Sequence, residues 1–181
     1  MSMVIIEAVK GLKHEIEHDG CEINGTMELA GVILPTIKVQ ELDLLAEENE
    51  IRDYYTNIVI NTQVVRSLEH NLYEFIYRGL KQSIEQLFYF DKTQDYTSRR
   101  FVFSTTDCIS HVQILYRHGK ATLFAHIRST DVVKLLPWDI LFLCKLSKRV
   151  LVECQFPEVR EIEVKVSIAS AHYYLEPETM Y

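Results

Sequence analysis

The sequence has no surplus of positive charge, and this excludes one large class of function. Its 181 residues include 19 Lys and Arg against 26 Asp and Glu, which gives a net charge of -7 at pH 7. General binding to nucleic acids depends on many cationic contacts with phosphates. We therefore expect no nucleic acid partner, although a small anion pocket is compatible with this charge.

The sequence also lacks paired cysteines, long apolar runs and an N-terminal basic segment followed by an apolar one. Its apolar runs are too short and interrupted to span a bilayer, and the missing N-terminal pattern argues against secretion. We therefore expect a cytoplasmic protein with reduced thiols and no membrane partner. Nor do the four cysteines have the spacing of a metal site, so we expect no metal; they are Cys21, Cys108, Cys144 and Cys154.

What the sequence does have is enough apolar content, 48%, for a substantial core. We predict a single domain over residues 1–181. Helical spacing of apolar residues predicts a helix from Met3 to His18, and partial alternation predicts two short strands within 22–34. The acidic stretch from Asp43 to Tyr55 predicts a short surface helix with a solvated charged face.

The middle of the chain predicts a strand and then a longer helix. Ile58-Val59-Ile60 has strand character, and Thr62 is suited to cap a helix that runs from Val64 to Leu80 and extends toward Phe90. We interpret the aromatic residues of this segment as packing residues rather than as a base-stacking surface.

The second half of the sequence is rich in strand patterns. The predicted strands and their hairpin turn are Phe101-Val102-Phe103, Val112–Tyr116, His118-Gly119 as the turn, Ala121–Ile127 and Glu161–Ile168. Trp138 to Val152 is apolar around most of a helical circumference and belongs in the middle of a domain. These elements predict an α+β fold, with a mixed or antiparallel sheet backed by helices and one buried central helix.

Clustered arginines and a cysteine mark the candidate site. Arg128 ends a predicted strand and precedes Ser129, which places a planar donor and a hydroxyl together, as a phosphate site requires. Arg99 and Arg100 are adjacent, a pattern that is usually only surface. Cys108 is either a small buried apolar residue or, if arginines lie nearby, a thiolate nucleophile.

The segment from Arg128 to Ile140, RSTDVVKLLPWDI, resembles the thymidylate synthase motif Arg-Ser-x-Asp-x-x-x-Gly-Leu-Pro-Phe-Asn-Ile. Cys108 precedes Arg128 by 128 − 108 = 20 positions, which is where that family has its nucleophile. Further matches keep the family's order; they are Ser98-Arg99-Arg100, Gln113 and Ala171-His172-Tyr173-Tyr174.

The resemblance implies a homodimeric transferase that adds a one-carbon unit from 5,10-methylenetetrahydrofolate to C5 of a pyrimidine deoxynucleoside monophosphate. Cys108 would be the nucleophile, and Arg128 and Ser129 would bind the phosphate together with Arg99 and Arg100 of the neighbouring subunit. His172 and Tyr174 would bind the sugar. Gln113 and Asp131 would order the site.

Asp139 stands where thymidylate synthases have Asn, and in the resemblance this Asp is the mark of the deoxycytidylate hydroxymethylases. A carboxylate accepts from the amino group of cytosine and repels the carbonyl of uracil, so the prediction leans to dCMP over dUMP. The alternative interpretation is that Asp139 only stabilises the start of the central helix.

Other residues depart from the family pattern and leave two further hypotheses open. Cys21 replaces a phosphate arginine, Asp107 adjoins the nucleophile, the folate-binding Glu and Trp have no clear match, and the sequence runs only seven residues past Tyr174. A catalytically degenerate protein that binds a nucleotide or serves as a structural partner is therefore the alternative. A thiol enzyme that pairs Cys108 with His111 or His126 ranks last.

Overall fold

The computed structural model of the chain describes residues 4–58, 96, 97, 99, 101–104, 108–153, 156 and 158–175. Three α-helices and seven strands lie in these residues, together with a short 3-10 helix at Val39–Glu41. The helices are α1 (Val4–Asp19), α2 (Leu44–Ile58) and α3 (Leu136–Glu153). The strands are β1 (Cys21–Ile23), β2 (Thr26–Ile33), β3 (Ile37–Lys38), β4 (Val102–Ser104), β5 (Ile109–Arg117), β6 (Lys120–Asp131) and β7 (Glu161–Tyr174).

The strands form one mixed sheet, which confirms the predicted α+β class. The strand order is β1-β2-β7-β6-β5-β4, and β3 also pairs with β7. β6 and β7 are parallel, whereas the other pairs are antiparallel. The predicted hairpin turn at His118-Gly119 is present, and the two strands expected within 22–34 are joined by a turn at Asn24-Gly25. Both turn residues have positive φ in each case, as tight two-residue turns require.

The helices cover one face of this sheet. α1 contacts β2 and β7, α3 contacts β6 and β7, and α2 contacts the other two helices. Apolar residues all around α3 are buried, among them Ile140, Leu141 and Leu143, so the predicted central helix is confirmed. No helix in the described ranges combines the length and apolarity needed to cross a bilayer.

The other face of the sheet carries exposed apolar side chains. Ile33 on β2 is 80% exposed and Phe124 on β6 is 37% exposed. The ammonium group of Lys165 lies 5.7 Å from the centroid of the Phe124 ring. Because Ile33 pairs with Ser167, two residues beyond Lys165 on β7, these side chains share one face. We call it the open face.

One prediction about the middle of the chain was wrong, and several lie outside the described residues. Ile58 ends α2 instead of beginning a strand, because neither Gly nor Pro interrupts the helix before it. Val59, Ile60, the Thr62 cap and the helix from Val64 to Leu80 are outside the described residues.

The prediction that the charged face of α2 is solvated was wrong at Glu47. This side chain is only 5% exposed, and its two oxygens accept hydrogen bonds of 3.2 Å from the backbone N–H groups of Val4 and Ile5. Such groups in the first turn of a helix have no partner within the helix. Glu47 therefore caps α1 from a neighbouring helix.

Glu47→Ala should lower the free energy of unfolding by about 1–2 kcal/mol, the usual effect of removing a helix N-cap. Urea denaturation measures this change. Glu50→Ala, at an exposed position of the same helix, is the matched control and should leave the midpoint nearly unchanged. Equal midpoints for the two variants would show that the Glu47 cap contributes no stability.

Candidate functional site

Most of the predicted site residues gather at one end of the sheet. The parallel strands β6 and β7 finish there, at Asp131 and Tyr174. β5 begins there because it runs antiparallel to β6, and the backbone N–H of Arg128 donates to the Cys108 carbonyl at 2.8 Å. The predicted nucleophile and the predicted phosphate arginine are therefore neighbours across two strands.

The predicted sugar-binding residues lie next to Ser129. The Ser129 hydroxyl is 3.5 Å from Nδ1 of His172, and the rings of His172 and Tyr174 are in edge contact with centroids 5.8 Å apart. The Lys134 ammonium group lies 5.0 Å from the centroid of the Tyr174 ring. This end of the sheet thus presents cations, hydroxyls and imidazole together.

An irregularity in the sheet exposes Arg128 and Ser129 consecutively. On β6 the next buried side chain after Ile127 is that of Thr130, three residues later, whereas regular alternation would give two. On β7 the next buried side chain after Ile168 is that of Ala171, also three residues later. The strands beside this point are irregular as well. Gly31 of β2 has φ of +73°, and the pairing of β5 with β6 shifts register between Ile109 and His111. A register shift of the kind seen between β5 and β6 changes the direction of side chains, and such irregularities are common beside active sites. Sequence alternation alone did not indicate this change of face.

Asp131 orders the turn that leads from β6 into α3. Its Oδ1 accepts hydrogen bonds of 2.9 Å from the backbone N–H groups of both Val133 and Lys134. The Asp131 carbonyl accepts from Leu135 N–H at 2.8 Å. The aspartate of the motif therefore has a structural role that is visible in the chain itself, namely to fix where α3 begins.

Asp139 lies buried in the first turn of α3, with 1% exposure. Thr130, also 1% exposed, donates its hydroxyl hydrogen to Asp139 Oδ2 at 3.0 Å. Oδ1 is buried and has no hydrogen-bond partner in the described part of the chain. Burial raises the pKa of Asp139 to about 7, although the Thr130 hydrogen bond lowers it. The carboxyl therefore makes no capping bond to α3 through Oδ1, and the contact with Thr130 was not predicted.

The described cysteines differ in environment. Cys108 is partly buried and packs against the core, whereas Cys21 is exposed. Cys144 is fully buried, and this burial raises the pKa of its thiol to about 12. Because the thiolate is the reactive form, Cys144 is unsuited to nucleophilic chemistry.

Arg99 and Gln113 lie away from this cluster within one chain. The Gln113 side-chain amide donates to the Arg99 carbonyl at 2.9 Å. Gln113 follows Cys108 by five residues, which corresponds to about 17 Å along a strand. Arg99 is exposed, and Ser98 and Arg100 are outside the described residues. The structure thus groups Arg128, Ser129, Asp131, His172 and Tyr174, and leaves Gln113 and Arg99 farther along the sheet.

His111 and His126, the partners in the lowest-ranked hypothesis, face each other on β5 and β6. Nδ1 of His111 is 3.2 Å from the Ser104 hydroxyl, and Nδ1 of His126 is 3.0 Å from the Ser167 hydroxyl. Each imidazole thus has a serine partner through this nitrogen. Within the described ranges, no three His, Cys, Asp or Glu side chains are grouped so as to hold a metal ion.

The buried carboxyl of Asp139 should make stability depend on pH. Its pKa is raised in the folded protein, so the folded state binds the proton more tightly than the unfolded state. Stability should therefore fall as the pH rises from about 4 to about 7, by up to about 4 kcal/mol relative to Asp139→Asn. Urea denaturation from pH 4 to 8 measures the difference. Asp19→Asn, at an exposed position, is the control, and parallel curves for wild type and Asp139→Asn would contradict the prediction.

Comparison with known proteins adds no assignment to this geometry, since no family model matches the chain and no curated protein is significantly similar to it.

Proposed function

We propose that this end of the sheet binds a pyrimidine deoxynucleoside monophosphate, and that the protein transfers a one-carbon unit to C5 of its base, with dCMP preferred over dUMP. The observation that supports this most directly is the meeting of Cys108, Arg128 and the Ser129–His172 pair at one end of the sheet. Those are the residues that the thymidylate synthase resemblance assigns to nucleophile, phosphate and sugar. Cys108 and Arg128 are brought together by the hairpin of β5 and β6, and His172 comes from β7, which is distant from both in the sequence.

The phosphate would bind to Arg128 and Ser129. The Arg128 side chain is exposed, and Ser129 is half-buried beside it. A guanidinium makes two parallel hydrogen bonds to phosphate oxygens, and the serine hydroxyl adds a third donor. His172 and Tyr174 would contact the deoxyribose hydroxyl.

Cys108 would act as a covalent catalyst. Its thiolate adds to C6 of the pyrimidine, which forms an S–C6 bond and moves the electron pair of the C5–C6 double bond to C5. C5 then bonds to a carbon at the oxidation level of formaldehyde, for which we propose 5,10-methylenetetrahydrofolate as donor. Loss of the C5 proton, with cleavage of the bond between the transferred carbon and the folate nitrogen, releases tetrahydrofolate and leaves a methylene group on C5. Addition of water to this methylene group and departure of the thiolate then complete a hydroxymethyl transfer.

The base would be recognised by Asp139. Oδ1 is buried and has no partner among the described residues, and a buried polar atom in this state costs about 1–3 kcal/mol. A donor on the ligand, such as the exocyclic amino group of cytosine, would remove that cost. The carbonyl of uracil would instead meet an ionised oxygen, with repulsion.

A homodimer through the open face would complete the phosphate site. Within one chain Arg99 is too far along the sheet to join Arg128, and the Gln113 bond to its carbonyl holds that segment in place. An exposed arginine in this position is suited to reach a neighbouring subunit. The exposed apolar side chains of Ile33 and Phe124 on the open face provide a surface that such a neighbour would cover.

The alternative is a protein that binds the nucleotide without catalysis. The observation that favours it is Asp107 beside Cys108, because an adjacent carboxylate disfavours the thiolate. This alternative keeps the same phosphate, sugar and base contacts. It differs only in the absence of covalent chemistry at C6.

Calorimetry at pH 8, where Asp139 is mostly ionised, should show that dCMP binds at least about tenfold more tightly than dUMP. This ratio corresponds to the free energy of one hydrogen bond to a charged group.

With 5,10-methylenetetrahydrofolate, tritium should be released from C5-labelled dCMP by wild type and by Cys21→Ala, but not by Cys108→Ala. Binding without tritium release by wild type would establish the non-catalytic alternative. The absence of binding to either nucleotide would refute both.

Ile33→Glu should convert a dimer to a monomer, because it places a charge in the surface that the neighbouring subunit would cover. Sedimentation velocity at micromolar concentration measures the change. Leu45→Glu, at an exposed apolar position of α2, is the matched control and should remain dimeric. A monomeric wild-type protein would contradict the proposed assembly.

A further inference from the structure

Thr130 is the variable position of the Arg-Ser-x-Asp motif, and nothing in that motif assigns it a role. In the structure it is nearly inaccessible to solvent, and its hydroxyl donates to Asp139 Oδ2. The two residues are nine positions apart and belong to β6 and α3. Their hydrogen bond is therefore a contact between the strand that carries Arg128 and the helix that carries the proposed base-reading residue.

This hydrogen bond makes the two oxygens of Asp139 unequal. Oδ2 accepts from Thr130, so a proton on the neutral carboxyl belongs on Oδ1. Oδ1 therefore presents a lone pair when Asp139 is ionised and an O–H donor when it is neutral. It is also the oxygen without a partner in the described part of the chain.

We propose that Thr130 is a positioning residue that holds Asp139 Oδ2 and thereby presents Oδ1 to the base, so that the threonine hydroxyl contributes to the choice between cytosine and uracil. This inference rests on the proposed nucleotide site. A valine would fill the same space as Thr130 but would leave both oxygens of Asp139 without a donor. The carboxyl would then be free to rotate, and the neutral form would no longer place its proton at a defined oxygen.

The surroundings of Asp139 make this hydroxyl important. Among the residues that the structure describes, the charged and titratable groups near the first turn of α3 include Asp131 and Lys134 on the preceding turn, His172 on β7 and Arg52 on α2, whose guanidinium lies 5.8 Å from the Trp138 ring. The pKa of Asp139 is nevertheless set by its burial, which raises it, and by Thr130, which lowers it. Thr130 is thus the stabilising partner of the ionised form.

The experiment compares wild type with Thr130→Val and Thr130→Ser. In the ligand-free protein, the carboxyl carbon of Asp139 is titrated by NMR, and its resonance is identified by its absence in Asp139→Asn. Thr130→Val should raise the pKa of Asp139, because the interaction that lowers it is lost, whereas Thr130→Ser should keep the wild-type midpoint. At pH 8, Thr130→Val should also reduce the ratio of dCMP affinity to dUMP affinity about tenfold, and Thr130→Ser should retain it.

Either an unchanged midpoint or an unchanged affinity ratio in Thr130→Val overturns the inference, since a purely packing role for Thr130 predicts no change in either. Thr130→Ala supplies a second variant without a donor if Thr130→Val does not fold. If wild type binds neither nucleotide, the proposed function fails by itself. The ligand-free titration then decides on its own whether Thr130 holds Asp139, and an unchanged midpoint overturns that as well.

Discussion

The parallel pairing of β6 with β7 is the constraint on which the rest of the structure depends. Two parallel strands cannot be joined by a tight turn, so the chain must return from the end of one to the start of the other. Here α3 makes that return, and it is buried because it lies across the strands that it connects. The same pairing brings the carboxyl ends of both strands to one end of the sheet. The residues of the candidate site lie together because both strands finish there.

Local patterns predicted most of the regular elements of this fold, but not β3 or the extension of α2 to Ile58. The amphipathic α1, the turns at Asn24-Gly25 and His118-Gly119, and the predominantly apolar α3 are each specified by residues that are close in sequence. The capping of α1 by Glu47 was not predictable in this way, because Glu47 is 42 residues from Ile5 and its acidic neighbours made it resemble a surface residue. Burial of a charged side chain depends on the tertiary partner, which periodicity does not report.

The candidate site was predictable only in part, for a related reason. The order of motif residues indicated that Cys108 and Arg128 belong together, and the register of β5 on β6 places them side by side. Gln113 lies away from them because five residues of extended strand separate it from Cys108. The order of residues in a motif gives no information on such distances. After Ile127 the side chains of β6 switch to the other face of the sheet, and neighbouring strands are irregular at the same position. On β2 this position is occupied by Gly31, whose backbone is left-handed. No single strand pattern contains that information.

Two buried acids, Glu47 and Asp139, differ in how far their burial is compensated by hydrogen bonds. Both oxygens of Glu47 accept backbone hydrogen bonds, so its burial is compensated and contributes to stability. Asp139 is buried more deeply, but within the described ranges it has one donor, to Oδ2, and none to Oδ1. Where the rest of a sequence is consistent with its fold, a buried oxygen without a hydrogen-bond donor is expected chiefly at a functional site, where a ligand can supply the donor. For this reason the burial of Glu47 is explained by its cap on α1, whereas the burial of Asp139 supports the binding role proposed for it.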